Sequence, residues 1–288
     1  MATYTTEIAS DKLISDNPIH QRLLKAYIAA KPWISGNLLE IGCGEGRGVE
    51  ELLPHAEQYL GLDKIGEVIQ TLQNKYPGVE FKQAVIPPFE GIADNTYDTI
   101  VSFQVIEHIY DDRLFLQEIY RMLKPGGKAI ISTPNNTHTL SRNPWHEREY
   151  VPQQLIDLAK PIFDRIEAKG IGGNDTVWTY HEANRKSVQK IMRFDVLDLQ
   201  HKLPNSVLRW PYEFLNRINR NRLHRTQGES VVEITHEDYL VVDDPKDLSP
   251  ARPVAPIDLT PNMTAPVLGI FGNEDQRPNP DQVNRTEE

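Results

Sequence analysis

Apolar and polar positions along this chain change period in a regular way. Ile19, Leu23, Leu24, Tyr27 and Ile28 recur at helical spacing ahead of Pro32, which predicts a helical lead-in over residues 1–36. Residues 38–42 form a short apolar strand, and a helix over 47–53 stops before Pro54. Residues 58–63 read as a second strand closing on an acid, and a helix over 65–76 ends ahead of Pro77-Gly78. Strands at 79–85 and 97–103, a helix at 111–123, the turn Lys124-Pro125-Gly126-Gly127 and a strand at 128–132 continue the series. This alternation over 38–133 predicts an α/β fold, a doubly wound, mainly parallel sheet covered by helices on both faces. Ligands of such sheets bind beyond the carboxyl ends of the strands.

Past residue 135 the pattern loosens. A polar, aromatic loop carries Asn135 and the run from Ser141 to Tyr150, and a helix at 152–160 and a strand at 163–170 then return toward the sheet. The core is expected over 37–175. Residues 176–237 read as a helical cap insertion with two amphipathic helices broken at Pro204. A short strand within 238–247 rejoins the core, and 248–288 is a tail interrupted by Pro250, Pro253, Pro256 and Pro261.

Composition narrows this picture. The chain has 288 residues, 39% of them apolar and 25% charged, as in a soluble globular protein. No apolar run approaches the ~20 residues of a membrane span. The start, Met1 to Glu7, lacks a basic region and an apolar h-region, so no signal peptide is expected. Cys43 is the one cysteine, which excludes an intramolecular disulfide and fits a reducing, cytoplasmic location. It reads as a packing residue. The net charge of −10 argues against bulk affinity for nucleic acid.

The candidate chemistry begins where the first strand ends. Gly42, Gly44 and Gly46 stand at every second position behind Glu40, a spacing unlike the Gly-x-Gly-x-x-Gly of dinucleotide binders. Glycine there permits either a tight strand-to-helix turn or close approach of a ligand to bare peptide groups. Asp63, at the end of the second strand, either caps the next helix or accepts hydrogen bonds from both hydroxyls of a ribose.

Leu39-Glu40-Ile41-Gly42-Cys43-Gly44-Glu45-Gly46, then Gly61-Leu62-Asp63, Asp98-Thr99-Ile100-Val101 and Leu123-Lys124-Pro125-Gly126-Gly127, closely resemble the Rossmann-like class I S-adenosylmethionine-dependent methyltransferases. The likeness covers roughly residues 20–172 and points to the type 11, ubiquinone-biosynthesis-like O-methyltransferase group. It implies S-adenosyl-L-methionine as cofactor. Glu40 and the turn from Gly42 through Cys43 and Gly44 to Gly46 would hold its methionine end and Asp63 its ribose, with Lys64 also in the cofactor site. Gln104 would lie near the sulfonium. Many relatives place an acid near the adenine where this chain has Gln83-Ala84-Val85, so backbone groups or Gln83 are the expected adenine contacts.

A second motif is Gln104-Val105-Ile106-Glu107-His108, whose residues 104, 107 and 108 would share one face of a helical turn. It is similar to the Glu-x-x-Glu-His of magnesium-using methyltransferases of ubiquinone precursors and of small-RNA 3′ ends. Thr133-Pro134-Asn135 and the later His146 extend the likeness to the RNA group. Glu107, His108 and His146 are therefore candidate ligands of a divalent metal, with Gln104 standing where a carboxylate would be. Two imidazoles and one carboxylate suit Zn²⁺, Mn²⁺ or Fe²⁺ better than Mg²⁺. The alternative is that Glu107 and His108 brace the helix at 111–123. Without a metal, an alcohol acceptor still needs a proton acceptor, and a histidine suits that role. His146 is the first candidate for it and His108 the second, beside Glu107.

The cap is basic. Arg185, Lys186, Lys190, Arg193, Lys202, Arg209, Arg217, Arg220, Arg222 and Arg225 are set against Asp195, Asp198 and Glu213. It reads as a solvated face, a lid over an anionic acceptor, or a peripheral membrane contact. The tail run Ala265 to Asp275 resembles the part of dienelactone hydrolases that presents the triad acid, here Asp275. No Gly-x-Ser-x-Gly or Gly-x-Cys-x-Gly elbow accompanies it, so hydrolase chemistry lacks a nucleophile. The tail is expected to be foreign to the fold, although Val267 to Phe271 has strand character. The resulting expectation is O-methylation of a small-molecule or glycan acceptor. N-methylation of a small amine, a cofactor-binding regulatory module and, more distantly, RNA 2′-O-methylation are its rivals.

Overall fold

The computed structural model describes residues 14–193, 195, 198–227, 229–243 and 266–272. Helix α1 (Asn17–Ala30) opens on Pro18, whose fixed φ suits a first turn. Strand β1 (Asn37–Ile41) leads through the glycine turn to the short α2 (Val49–Leu52), followed by a 3₁₀ turn at Leu53–His55. Then come β2 (Gln58–Asp63), α3 (Gly66–Lys75), β3 (Glu80–Gln83), β4 (Tyr97–Phe103) and α4 (Asp112–Met122). Asp111 caps α4 by accepting from the Leu114 N–H at 2.9 Å. Strand β5 (Leu123–Pro134), α5 (Pro152–Ala159) and β6 (Arg165–Gly173) complete the core. The cap is α6 (Asp175–Met192), α7 (Leu199–Lys202), α8 (Asn205–Gln227) and α9 (Glu229–Glu233). Strands β7 (Tyr239–Val242) and β8 (Pro266–Gly272) close the chain's described part.

One sheet runs β3-β2-β1-β4-β5-β8-β6-β7. Its first five strands are parallel, while β8 is antiparallel to both β5 and β6, and β7 to β6. Successive residues of the central strands serve opposite faces. Leu38, Val101 and Ile130 join the core beneath α1 and α6, whereas Leu39, Ile100 and Ile131 join the one that holds Phe115 and Leu116 of α4 and Leu155 of α5. Burial on both faces explains why these strands read as apolar runs.

Three expectations need correction. Residues 104–108 do not form a single helical turn: Gln104 has φ +59° and only Ile106–His108 turns, as 3₁₀. The Gln104 N–H bonds the Ser132 carbonyl at 2.8 Å, so this residue prolongs the sheet contact instead of starting a helix. The cap break is wider than Pro204, since α6 ends at Met192 and α8 begins at Asn205. Finally, Pro266–Gly272 is an interior strand. It pairs with Lys128–Pro134 on one side and Arg165–Gly170 on the other, so this part of the tail belongs to the sheet. Asp275 lies outside the described residues.

Candidate active site

The chain leaves β1 first toward β2 and β3, then returns to the other side for β4 and β5. That reversal opens a crevice beyond the carboxyl ends of β1 and β4. A cavity of about 540 Å³ lies there, lined by Gly42 to Arg47, Leu62 to Ile65, Ala84 to Ile86, Phe103 to Val105 and His108. Helix α1 adds His20, Leu23, Leu24 and Tyr27.

Gly42, Gly44 and Gly46 all have positive φ in this turn. Gly42 has φ +76°, and a Cβ on it would stand 2.3 Å from the Val105 methyl, so a side chain there would strain the backbone and push on the 104–108 turn. Gly44 has φ +51° with nothing within 4 Å of its Cβ position, so it borders open space in the cavity wall. Cys43 is buried between these two and approaches Gly61, and burial pushes its thiol pKa up. That is the environment of a packing residue.

Asp63 joins the two strand ends. One carboxylate oxygen accepts from the Gly44 N–H at 2.8 Å, the other from the Ile65 N–H at 2.9 Å. Helix α3 starts at Gly66 with no side-chain cap, so Asp63 does not serve it as N-cap. Each oxygen is oriented by one backbone donor and keeps acceptor capacity for a second. Lys64 also borders the cavity, and its carbonyl accepts from the Gln83 amide at 2.9 Å. Gln83 itself does not line the cavity; Ala84, Val85 and Ile86 do. Strand β3 ends at Gln83, and the lining residues Ala84 to Ile86 belong to the loop beyond it.

Glu40 also departs from expectation. Its side chain is fully buried and is absent from the cavity lining. One oxygen accepts from the Tyr27 hydroxyl at 2.8 Å and the other from the Tyr59 hydroxyl. Burial pushes its carboxyl from an ordinary 4.5 up to about 7, against the pull of the two hydroxyls and Arg47. Glu40 therefore acts as a brace under the turn, tying α1, β1 and β2 together. Its folded pKa exceeds its unfolded one, so the unfolded chain ionises it first and stability falls as pH rises from about 4.5 to 7. In urea unfolding at pH 5 and pH 7.5, Glu40→Gln is expected to remove about 2 kcal/mol of that decline. A decline of the same size in the variant would dismiss this role.

Glu107, His108 and His146 do come together. One ligand atom from each lies within 4.8 Å of the others. The loop is delivered by the backbone: the N–H groups of Glu147 and Arg148 bond the Glu107 carbonyl at 2.8 and 3.2 Å. Asp112 adds a pin by accepting from Arg148 at 2.6 Å and from Tyr150 at 2.8 Å. Glu107 is buried, with Thr133 donating to its carboxylate at 3.1 Å, and burial pushes its pKa up to about 7 despite His146 nearby.

The two histidines differ. His108 lines the cavity and its Nδ1 lies 2.8 Å from the Trp145 carbonyl, which can only accept. Nδ1 therefore carries the proton and Nε2 is the basic nitrogen. His146 is absent from the lining, and both its nitrogens are engaged, Nδ1 with Glu149 at 2.5 Å and Nε2 with the Asn143 amide at 2.7 Å. Asn143 Oδ1 accepts from the Trp145 N–H at 3.0 Å, which fixes the amide as donor toward His146. His146 is thus the less suited proton acceptor, contrary to expectation. Gln104 lines the cavity but sends its amide to the Ser132 hydroxyl at 3.3 Å.

Sequence reasoning missed Tyr27, Tyr59, Arg47 and Glu149. Tyr27 was legible only as one member of a helical apolar stripe. Arg47 lies within the glycine turn itself, and its Nε donates to His20 at 3.1 Å.

Comparison with known proteins finds relatives of this chain. Residues 39–131 match the family described as a methyltransferase domain. A protein of Mycolicibacterium smegmatis named "Probable S-adenosylmethionine-dependent methyltransferase" is 34% identical over 152 residues, covering 51% of this chain and 56% of that protein. The human mitochondrial ubiquinone biosynthesis O-methyltransferase is 30% identical over 134 residues, 44% of this chain and 34% of that one. The chain thus spans about half or less of the length of these curated relatives. A Thermotoga maritima structure titled a SAM-dependent methyltransferase, possible histamine N-methyltransferase, superposes with a TM-score of 0.52 at 13% identity. It covers 89% of this chain and 91% of its own, a likeness that shows the fold alone. The dienelactone hydrolase likeness of the tail finds no support.

Proposed function

With residues 39–131 forming a methyltransferase domain of the S-adenosylmethionine-dependent class, we propose that the chain transfers a methyl group to an oxygen of a small-molecule or glycan acceptor. S-adenosyl-L-methionine supplies an electrophilic methyl on a sulfonium whose departure needs no acid. The residues present fit it: a glycine turn with open space beside Gly44, an oriented carboxylate at Asp63 and a cationic Arg47 border one cavity. Asp63 holds the ribose hydroxyls, Arg47 and the turn the methionine end, and Ala84 to Ile86 the adenine side. Gln104 and Val105 border the reacting centre, and Glu40 acts through the turn it braces.

The observation that carries the oxygen reading is His108. Its Nε2 is the basic nitrogen of a ring set in the cavity wall, next to a buried acid. It takes the proton that an acceptor hydroxyl loses, and Glu107 offsets the charge that the imidazole gains. The human relative's name, an O-methyltransferase, favours the same acceptor atom.

A metal is a second reading, favoured by the convergence of Glu107, His108 and His146. A buried carboxylate whose pKa is pushed up by burial suits a cation. Zn²⁺ or Mn²⁺ there would be held by these three groups and would polarise the acceptor oxygen. His146 would have to give up one of its present hydrogen bonds.

One experiment tests these readings: transfer of labelled methyl to a panel of alcohols, phenols, sugars and amines. His108→Gln is expected to lower kcat about 10²- to 10⁴-fold with S-adenosylhomocysteine binding unchanged. An unaltered kcat would remove His108 from the reaction. Transfer abolished by a chelator and restored by Mn²⁺ or Zn²⁺ would favour the metal. Transfer confined to amines would move the acceptor to nitrogen, and cofactor binding without transfer to any acceptor would favour a regulatory module.

A further inference from the structure

Helix α8 carries two faces of opposite character. Its inner face is fully used: Leu223 is buried, Asn219 donates to Asn184 of α6 at 2.7 Å, and Arg217 and Arg220 both reach the buried Asp16 at 3.1 and 3.2 Å. Its outer face exposes Val207, Trp210, Phe214 and Ile218, which recur at helical spacing along one side, with Leu215 beside them. Trp210 is 74% exposed and stacks on Phe214, itself 56% exposed, with ring centroids 5.8 Å apart.

The same side continues into Arg222 and Arg225, both exposed, and Lys202 is exposed just ahead of the helix. Single exposed apolar residues are ordinary; a contiguous aromatic stripe with basic ends is not. Nor can the stripe swing inward as a lid without breaking the Asp16 and Asn184 contacts.

We propose that α8 is a membrane-docking helix that lies in the interface of an anionic lipid bilayer. An apolar face led by Trp and Phe, with Lys and Arg flanking it, fits the boundary between headgroups and acyl chains. Charge decides between a bilayer and a second copy of the chain. Two stripes facing each other about a two-fold axis would bring like-charged Arg222, Arg225 and Lys202 into one interface, whereas anionic headgroups complement them. The chain's net charge of −10 makes the basic ends of this stripe a local exception, which orients α8 and not the acidic remainder toward lipid. Cation–π contact of Arg209 with Trp145, 4.2 Å from the ring centroid, and the Arg142 bond to the Gln200 carbonyl at 2.8 Å join this region to the loop bearing His146. Docking would therefore engage the acceptor side of the molecule. This inference does not depend on methyl transfer.

The test is flotation of the full chain with vesicles of phosphatidylcholine alone or with phosphatidylglycerol, at low and high salt. Binding is expected only to the anionic vesicles, weakening with salt. The double variant Trp210→Ser, Phe214→Ser should weaken it at least about tenfold. Arg222→Glu with Arg225→Glu should do the same, while thermal melting and S-adenosylhomocysteine binding stay as in the parent. Absence of binding to anionic vesicles, or equal binding by parent and Trp210/Phe214 variant, would overturn the proposal. So would a parent dimer that the variant converts to a monomer without any vesicle binding, since the stripe would then be a self-interface.

Discussion

A chain cut after Asp247 loses its cooperative thermal transition and no longer binds S-adenosylhomocysteine. This outcome is expected because the cut removes β8, which fills the slot between β5 and β6. Without it, β5 from Lys128 to Pro134 and β6 from Arg165 to Gly170 face each other across a missing strand. Strands pair at about 4.8 Å, so a gap of about two spacings cannot close without moving α5 and the loop that bears His146. Each unpaired ladder bond forfeits about 0.5–1.5 kcal/mol net, and two ladders together exceed much of the ~5–15 kcal/mol that holds a domain folded. A finer test is Ile270→Pro. Ile270 stands opposite Ile130 and Glu167, so proline there withdraws a donor from an interior strand. Loss of several kcal/mol in urea unfolding is expected. A cut chain that melts and binds like the parent would show that β8 is dispensable, which is what the proline-rich composition of the tail suggested.

The second large effect belongs to Asp63. In Asp63→Ala, S-adenosylhomocysteine is expected to bind at least about 100-fold more weakly by calorimetry, the equivalent of about 3 kcal/mol. Two effects add. The variant removes the proposed acceptor for two ribose hydroxyls, and it releases the Gly44 and Ile65 N–H groups that Asp63 now holds. Asp63→Asn keeps one acceptor oxygen and should fall between. The ligand-free variant should melt within a few degrees of the parent, because Asp63 is only partly buried. An unchanged affinity in a folded Asp63→Ala protein would remove Asp63 from the binding site.

Different parts of the site were legible to different degrees. The glycine turn and Asp63 lie within a single strand–turn–helix–strand stretch, where short-range geometry dictates the result. Glycines at positive φ, a strand that ends on an acid and a helix that follows leave few other arrangements. Glu40 was legible as an acid at the strand end but not in its role. Its side chain turns into the core because Tyr27 of α1 and Tyr59 of β2 meet it there. Gln104 was misplaced for a comparable reason. Its left-handed backbone is held by Ser132 of β5, a partner that the local sequence does not reveal.

By itself the sequence determined the alternation of strands and helices up to the fifth strand, the α/β class, the glycine turn after the first strand and the basic composition of residues 185–225. All of these rest on periodicity and on motifs a few residues long. Tertiary structure alone decided the rest. It set which histidine lines the cavity, because backbone bonds from Glu147 and Arg148 to Glu107 fix the loop while Asn143 and Glu149 occupy His146. It set the outer face of α8, because Asp16 and Asn184 claim the inner one. It also placed β8 inside the sheet, because an open slot between two distant strands takes the segment that can pair with both. Such choices are made by long-range partners, and no window of neighbouring residues contains them.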